Sequence, residues 1–173
     1  MTGSGHVRHW HVELLDRHVD RSAFACGVEA LDRYLRQQAS QDARRGFAAV
    51  YVVLGEDSRV LGYYSLSMAG VPIDRVPSEL RSKMPRYPSV PAIRLGRLAV
   101  SLDARGRRLG EFLLIDALRR ALRNEVAWAA FIVDAKGGSA RGFSLDYGFL
   151  PFSDDPNHLF LPRATVERAL ARQ

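Results

Sequence analysis

The stretch from 95 to 114, LGRLAVSLDARGRRLGEFLL, limits the possible folds of this chain more than any other feature of the sequence. A strand-like run over Leu95–Val100 passes through a turn rich in glycine and arginine directly into an apolar helix. The start of such a helix presents unpaired N–H groups and the positive end of the helix dipole, and glycine lets an anion come close. The stretch therefore predicts a strand–turn–helix unit whose turn binds a phosphate. The alternative is an arginine-rich helix start on a solvated surface.

The rest of the chain alternates strand-like and helix-like segments, with Gly46 as a helix stop and Ser78 as a helix cap. We predict, in chain order, a strand at 9–16, a helix at 28–45, a hairpin within 47–70, a proline-rich loop at 71–92 with a short helix near 78–83, a strand at 93–101, a helix at 108–125, a strand at 127–135, a short helix at 138–148, two short strands within 149–162 and a final helix at 163–172. This order predicts an α/β (α+β) fold, a mixed central β-sheet flanked by helices. We expect one domain over 1–173, with its core at about 10–162.

Composition excludes several classes of protein. Apolar residues make up 47% of the 173 residues, which is enough for a hydrophobic core. No apolar run reaches the roughly 18–20 residues that span a membrane, and the first residues lack the apolar stretch of a signal peptide. Cys26 is the one cysteine, so no internal disulfide can form. These features predict a cytoplasmic protein.

The charge is strongly basic, with a net +6, and only Lys83 and Lys136 among the 25 basic residues are lysines. Arginine binds phosphate through a planar fork and stacks on bases, so one interpretation is a nucleic-acid partner. The other interpretation is a GC-rich genome, which favours arginine codons whether or not the arginines have a function.

The chain has a strand ending in RLAV, the turn ARGRRLG, a helix directly after it, and later a strand and a GF pair. In this arrangement it resembles the GCN5-related N-acetyltransferases. The turn of that family follows the pattern Arg/Gln-x-x-Gly-x-Gly/Ala, which Arg105 and Gly110 match, whereas Arg108 replaces the middle glycine. The resemblance implies that the turn amides hold the pyrophosphate of acetyl-CoA and that the preceding strand end binds the pantetheine. The residues it implies for this role are Leu98, Ala99, Val100, Arg105, Gly106, Arg107, Arg108, Leu109, Gly110 and Glu111.

A narrower resemblance runs nearly from end to end of the chain. The segments DRSAFACGVEALDRYLRQQASQDARRG, YYSLS, LGRLAV and DDPNHLFLP resemble the acetyltransferase toxins of bacterial toxin–antitoxin pairs. This resemblance implies transfer of acetyl from acetyl-CoA to the amino group of aminoacyl-tRNA without a metal, which blocks translation. It also implies a ribbon–helix–helix antitoxin as partner and a homodimer.

One departure from those toxins concerns the acid that protonates the CoA thiolate. The toxins carry a tyrosine in the pattern F-Y-x-x-x-G-F, whereas this chain has Ser144 at that position and Tyr147 three residues later. Both are candidate catalytic residues, because Ser144 can hydrogen-bond the sulfur and Tyr147 can supply a phenol. Two alternatives stay open: no side-chain acid is needed, or the protein is a weakened relative that binds CoA or an antitoxin. Acetylation of a small amine or of a protein N-terminus is the alternative activity.

Other side chains have a functional and a structural interpretation. His6, His9 and His11 have a spacing that can bind a metal, but near the N-terminus a strand face or tail is the simpler interpretation. Cys26 is a nucleophile or a buried structural thiol, and Asp134 and Glu111 are possible bases. The candidates for a basic rim that contacts tRNA are Arg81, Lys83, Arg86, Arg94 and Arg97. For the first three, a solvated loop is the alternative interpretation.

Overall fold

The computed structural model describes residues 10–134, 144 and 146–172. Within these residues, seven strands join one sheet in the order β1-β2-β3-β4-β5-β7-β6, in which only β4 and β5 are parallel. The strands are β1 (Val12–Leu14), β2 (Ala49–Leu54), β3 (Val60–Pro72), β4 (Ser89–Val100), β5 (Ala130–Asp134), β6 (Leu150–Pro151) and β7 (His158–Pro162). The helices are α1 (Glu29–Arg33), α2 (Ala39–Arg45), α3 (Ser78–Arg81), α4 (Leu109–Arg123) and α5 (Arg163–Ala171). The predicted fold class is confirmed, and the predicted order of elements is confirmed for those that lie within the described residues.

The predicted helix at 28–45 is present, but it is not a regular α-helix throughout. A π-helical turn, Tyr34–Gln38, lies between α1 and α2. Gly46 ends the segment in a left-handed conformation, with φ of 77°, as the sequence predicts. Tyr34, Leu35 and Ala39 of this segment are buried, and Leu31 packs against them partly buried.

Two predictions around the proline-rich loop are wrong. The loop is shorter than 71–92, because β3 continues to Pro72 and β4 begins at Ser89. Ser78 does not cap α3: Pro77 holds the cap position without a side-chain hydrogen bond, and Ser78 is the first helical residue.

Most of the predicted helix at 138–148 lies outside the described residues. Within the described part of the chain, no helix is both long and apolar enough to span a membrane.

The sheet buries a different cluster on each face. On one face, α4 and α5 cover a core that includes Leu95, Leu113 and Phe131. On the other face, α1 and α2 cover a second core with Tyr63 and Ala99 at one end, while the segment between β3 and β4 covers a third core at the other end. Side chains alternate between these faces along each strand, so each strand position is assigned to one side of the molecule.

Candidate active site

The end of β4 has an unpaired edge. Its parallel pairing with β5 stops at Leu95, opposite Val133, and no described strand flanks the following residues of β4 on that side. On the other side, Ser101 N–H donates to the carbonyl of Leu61 at 2.8 Å. Because polar backbone groups alternate in an antiparallel ladder, Leu98 and Val100 direct their N–H and C=O groups away from β3. Their backbone groups therefore face the gap that opens between β4 and β5.

The turn after β4 takes two left-handed conformations, at Gly106 with φ of 76° and at Arg108 with φ of 60°. Glycine, which the family pattern has at position 108, adopts such a conformation readily, whereas a left-handed residue with a side chain costs about 1–2 kcal/mol. An added Cβ at Gly106 would meet no atom within 4 Å, so the front of the turn is open.

The first turn of α4 leaves its amides available. Arg108 occupies the cap position without a side-chain hydrogen bond, and the first intrahelical bond is from Phe112 N–H to the Arg108 carbonyl at 3.1 Å. The N–H groups of Leu109, Gly110 and Glu111 precede this bond and have no acceptor within the helix. An uncapped helix start behind an open turn fits a phosphate group.

A cavity of about 560 Å³ lies in front of the turn and brings most of the predicted cofactor residues together. Its lining residues are Val100, Ala104, Arg105, Gly106, Arg108, Leu109, Gly110, Glu111, Asp146 and Tyr147. Of the predicted residues, Leu98, Ala99 and Arg107 do not line it, and Ala99 is buried in the core on the opposite face of the sheet. Asp146 is a lining residue that the sequence analysis did not consider.

Three side chains form a network at the mouth of this cavity. The exposed Arg108 guanidinium donates to the Glu111 carboxylate through Nε at 2.7 Å and approaches it through Nη2 at 2.6 Å. Burial and a hydrogen bond with Glu111 raise the pKa of Tyr147 to about 12. Arg108 thus compensates the charge of Glu111, which would otherwise repel an anion at the turn.

Ser144 is only 6% exposed and is not among the residues that line the cavity. Its carbonyl accepts hydrogen bonds from the N–H groups of Tyr147 and Phe149, at 3.1 and 3.3 Å. Gly148 follows in a left-handed conformation, with φ of 86°. Of the two candidate hydroxyls, therefore, Tyr147 contacts the cavity.

The N-terminal segment holds the turn in place, a role that the sequence analysis did not predict. Arg105 Nη2 donates to the Cys26 carbonyl at 2.6 Å, and Leu102 N–H donates to the Ala25 carbonyl at 2.9 Å. The Asp32 carboxylate in turn accepts the N–H of Cys26 at 2.8 Å. Ala25, Cys26 and Asp32, which make these contacts, are called the clamp from here on. They lie in the F-x-C-G and L-D motifs at the start of the toxin-like segment, which were the available sequence signal for this role.

Cys26 itself is buried, as the structural interpretation predicts. Burial and the neighbouring Asp32 raise the pKa of its thiol to about 11. A thiol with such a pKa stays protonated at neutral pH and is a poor nucleophile. The Cys26 side chain packs in the core that α1 and α2 cover.

The remaining candidates lie elsewhere. His6 and His9 are outside the described residues, His11 is exposed, and no group of metal-ligating side chains occurs in the part of the chain that the structure describes. Asp134 at the end of β5 faces His158, with an oxygen 3.5 Å from Nε2. Of the predicted basic rim, Arg81, Lys83, Arg86 and Arg94 are exposed and Arg97 is half-buried.

No protein-family model matches the sequence. The chain is 35% identical over 144 residues to a tRNA-acetylating toxin of Mycobacterium tuberculosis, and the match covers 82% of this chain and 85% of the toxin.

Solved structures are similar over nearly the full length. AtaT complexed with acetyl-methionyl-tRNAfMet has a TM-score of 0.85 and 27% identity, covering 94% of this chain and 99% of AtaT. AtaTR bound with AcCoA has a TM-score of 0.80 and 27% identity, covering 93% and 98%. A tyrosine-to-phenylalanine mutant of AtaT bound to the C-terminus of the antitoxin AtaR has a TM-score of 0.77 and 26% identity, covering 92% and 97%.

Proposed function

This chain belongs to the family of tRNA-acetylating toxins, and on that basis we propose that it transfers acetyl from acetyl-CoA to the amino group of aminoacyl-tRNA. The observation that carries this proposal is the uncapped start of α4 behind the left-handed turn, next to the unpaired end of β4. These two features provide amides for a pyrophosphate and an extended backbone edge for an amide-containing chain. Both parts of CoA therefore have a partner of suitable chemistry.

The residues present fit acetyl-CoA at this site. The amides of Leu109, Gly110 and Glu111 would hold the pyrophosphate, and Leu98 and Val100 would hydrogen-bond the pantetheine amides. When bound there, acetyl-CoA supplies the thioester carbonyl that the amine attacks.

The reaction forms a bond from nitrogen to the acyl carbon and breaks the bond from that carbon to sulfur. The amine must lose one proton, and the thiolate that leaves takes one up. An α-amine next to an ester has a lower pKa than lysine, so a strong base is not required. Backbone N–H groups at the unpaired edge of β4 would stabilise the oxyanion, a contribution of a few kcal/mol in a site that excludes water.

Two hydroxyls are the proposed proton donors to the thiolate. Tyr147 lines the cavity, which supports a direct role, although its raised pKa makes it a weaker acid than an ordinary phenol. Ser144 stays a second candidate that would hydrogen-bond the sulfur.

The proposed function implies partners and a place of action. AtaT has been solved with part of its antitoxin AtaR, and we propose an antitoxin of the ribbon–helix–helix class for this chain as well. A homodimer and a cytoplasmic location, where charged tRNA and acetyl-CoA are both available, complete the proposal.

The direct experiment incubates the purified protein with labelled acetyl-CoA and a mixture of charged tRNAs, and then identifies the acetylated aminoacyl-adenosine released by nuclease. We expect label on the α-amine of one or a few aminoacyl-tRNAs and growth arrest when the protein is expressed. Consumption of acetyl-CoA with small amines or peptides, but not with charged tRNA, would replace this function by the alternative acetyltransferase activity. Tight binding of acetyl-CoA without turnover on any amine would indicate a weakened relative.

A further inference from the structure

A bulge in β4 redirects one arginine of the candidate basic rim. The pairing with β3 shifts between Ser65 and Leu66, whose partners are Arg97 and Leu95, so Gly96 is left without a partner. Leu95 packs in the core beneath α4, and the extra residue places Arg97 on the opposite face of the sheet. Arg97 therefore lies just beyond the end of the β4–β5 pairing, on the face that α1 and α2 cover.

An aromatic ring fixes the Arg97 side chain there. The guanidinium carbon lies 3.5 Å from the centroid of the Tyr34 ring, a close cation–π contact. Tyr34 is 5% exposed, and its hydroxyl donates to Asp42 at 2.9 Å. It begins the π-helical turn, and such turns are frequent at functional sites. The ring and its anchor make Arg97 a preorganised cation.

Arg97 has no acidic partner among the described residues, where the ion pairs involve other arginines or histidines. The side chain is half-buried, and the neighbouring Arg94 is exposed. A fixed guanidinium stacked on a ring keeps its outer N–H groups available for an oxyanion, and Arg geometry matches phosphate.

The position of Arg97 relative to the CoA site determines which phosphate of the two substrates it can contact. The phosphate-binding turn leads into α4, which covers the other face of the sheet. The amine acceptor must then approach the gap between β4 and β5 from the face where Arg97 lies. In an aminoacyl-tRNA, only an ester and one ribose separate the amine from the phosphate of the 3′-terminal nucleotide.

We propose that Arg97, held on the Tyr34 ring, binds a phosphodiester at the single-stranded 3′ end of aminoacyl-tRNA and so selects an RNA-borne amine over a free one. This assignment rests on the proposed function, and it names Arg97 as a specificity-determining residue. Tyr34 is a positioning residue, because it acts through Arg97.

The test compares Arg97→Ala with Arg172→Ala. Arg172 is exposed at the end of α5, which packs on the opposite face of the sheet, so this variant removes the same charge away from the proposed contact. Two acceptors are used, an aminoacylated RNA minihelix ending in CCA and the methyl ester of the same amino acid. We expect Arg97→Ala to raise KM for the minihelix at least tenfold, and to reduce kcat/KM for the minihelix at least tenfold more than for the ester. Arg172→Ala should leave both acceptors unchanged.

A second readout does not depend on activity. Binding of the uncharged minihelix is followed by fluorescence anisotropy across a salt series, in which loss of one single-stranded phosphate contact lowers the slope of log K against log salt by about 0.7. We expect that decrease for Arg97→Ala, a smaller loss of affinity for Tyr34→Leu, and near wild-type binding for Tyr34→Phe, which keeps the ring.

The outcomes separate this inference from the proposed function. An unchanged salt slope, or an equal loss on minihelix and ester, would overturn the assignment of Arg97. A wild-type protein that binds the minihelix through Arg97 but does not acetylate it would contradict only the proposed function. If the wild type does not bind RNA at all, both are wrong.

Discussion

At the scale of single residues, Arg108 shows how a departure from a family pattern can be tolerated. The glycine that the pattern expects serves a left-handed backbone, and Arg108 adopts the same conformation with φ of 60°. Its side chain is 80% exposed, so it does not enter the turn, and it forms an ion pair with Glu111. The left-handed backbone of Arg108 costs about 1–2 kcal/mol. Its guanidinium, however, compensates the negative charge of Glu111, which lies at the phosphate site.

The first prediction is that Arg108→Gly weakens acetyl-CoA binding about fivefold, although it restores the family pattern, because it leaves Glu111 uncompensated. In the Arg108→Gly/Glu111→Gln double variant, most of the affinity should return. Calorimetry with acetyl-CoA on the two single variants and the double variant measures this coupling. Tighter binding by Arg108→Gly alone would mean that the arginine only obstructs the turn.

The second prediction concerns Tyr147, whose pKa is raised to about 12 by burial and by Glu111. A raised pKa moves deprotonation to higher pH, so the phenol stays protonated from pH 6 to pH 10, and kcat should show no basic limb from this group in that range. We expect Tyr147→Phe to lower kcat at least tenfold and Ser144→Ala to lower it less, because Tyr147 contacts the cavity. The measurement is kcat against pH for the wild type and both variants.

Two results would contradict this prediction. A wild-type basic limb near pH 10 that disappears in Tyr147→Phe would show that the phenol has an ordinary pKa and is not bonded to Glu111. A larger loss in Ser144→Ala would identify the serine hydroxyl as the group that acts on the sulfur.

At the scale of elements, the phosphate-binding turn depends on a segment about 80 residues away in sequence. Arg105 donates to the Cys26 carbonyl, and Gly27 follows with φ of 90°. An added Cβ at Gly27 would lie 3.3 Å from Nη2 of Arg105. The conformation of the N-terminal segment and that of the turn are therefore coupled through one guanidinium.

The third prediction uses two glycines that share a left-handed backbone but differ in surroundings. Gly46 has nothing within 4 Å of an added Cβ, so Gly46→Ala should cost only the conformational term, about 1 kcal/mol of the free energy of unfolding. Gly27→Ala should cost about 2–3 kcal/mol, because it also disturbs a hydrogen bond from a charged donor. Urea unfolding measures both values.

Acetyl-CoA affinity provides the control for this comparison. It should fall for Gly27→Ala and stay constant for Gly46→Ala, since only Gly27 is next to Arg105. Equal costs and equal affinities would mean that the clamp does not shape the turn.

At the scale of the whole molecule, the sequence predicts the parts that depend on local patterns. The order of elements, the hairpin and the turn before α4 follow from periodicity and from glycine positions, and the structure confirms that order for the elements within the described residues. The end of the β4–β5 pairing, the bulge at Gly96 and the partner of Arg105 could not be predicted from the sequence, because each depends on residues distant in the chain. The prediction that Ser78 caps α3 is wrong for a local reason, because the Pro77 carbonyl already accepts the first hydrogen bonds of the helix, from the N–H groups of Leu80 and Arg81.

The last prediction links the turn to the behaviour of the whole protein. An added Cβ at Gly110 would be 3.7 Å from Val100 Cγ2, an ordinary contact, so the backbone at this position accepts a side chain and we expect Gly110→Asp to fold. A carboxylate in the first turn of α4 also favours the helix dipole, so the melting temperature should stay the same or rise. The same carboxylate would occupy the amides and repel phosphate, so we expect the Kd for acetyl-CoA to rise at least 100-fold and growth arrest on expression to disappear.

Gly110→Asn is the matched control, because it adds nearly the same volume without the charge. Its Kd for acetyl-CoA should rise less than tenfold, and its expression should still arrest growth. If both variants lose binding equally, the space in front of Gly110 matters and the electrostatics of the turn do not. If Gly110→Asp still binds acetyl-CoA, the phosphates lie elsewhere, and the turn that most constrains the sequence has a structural role alone.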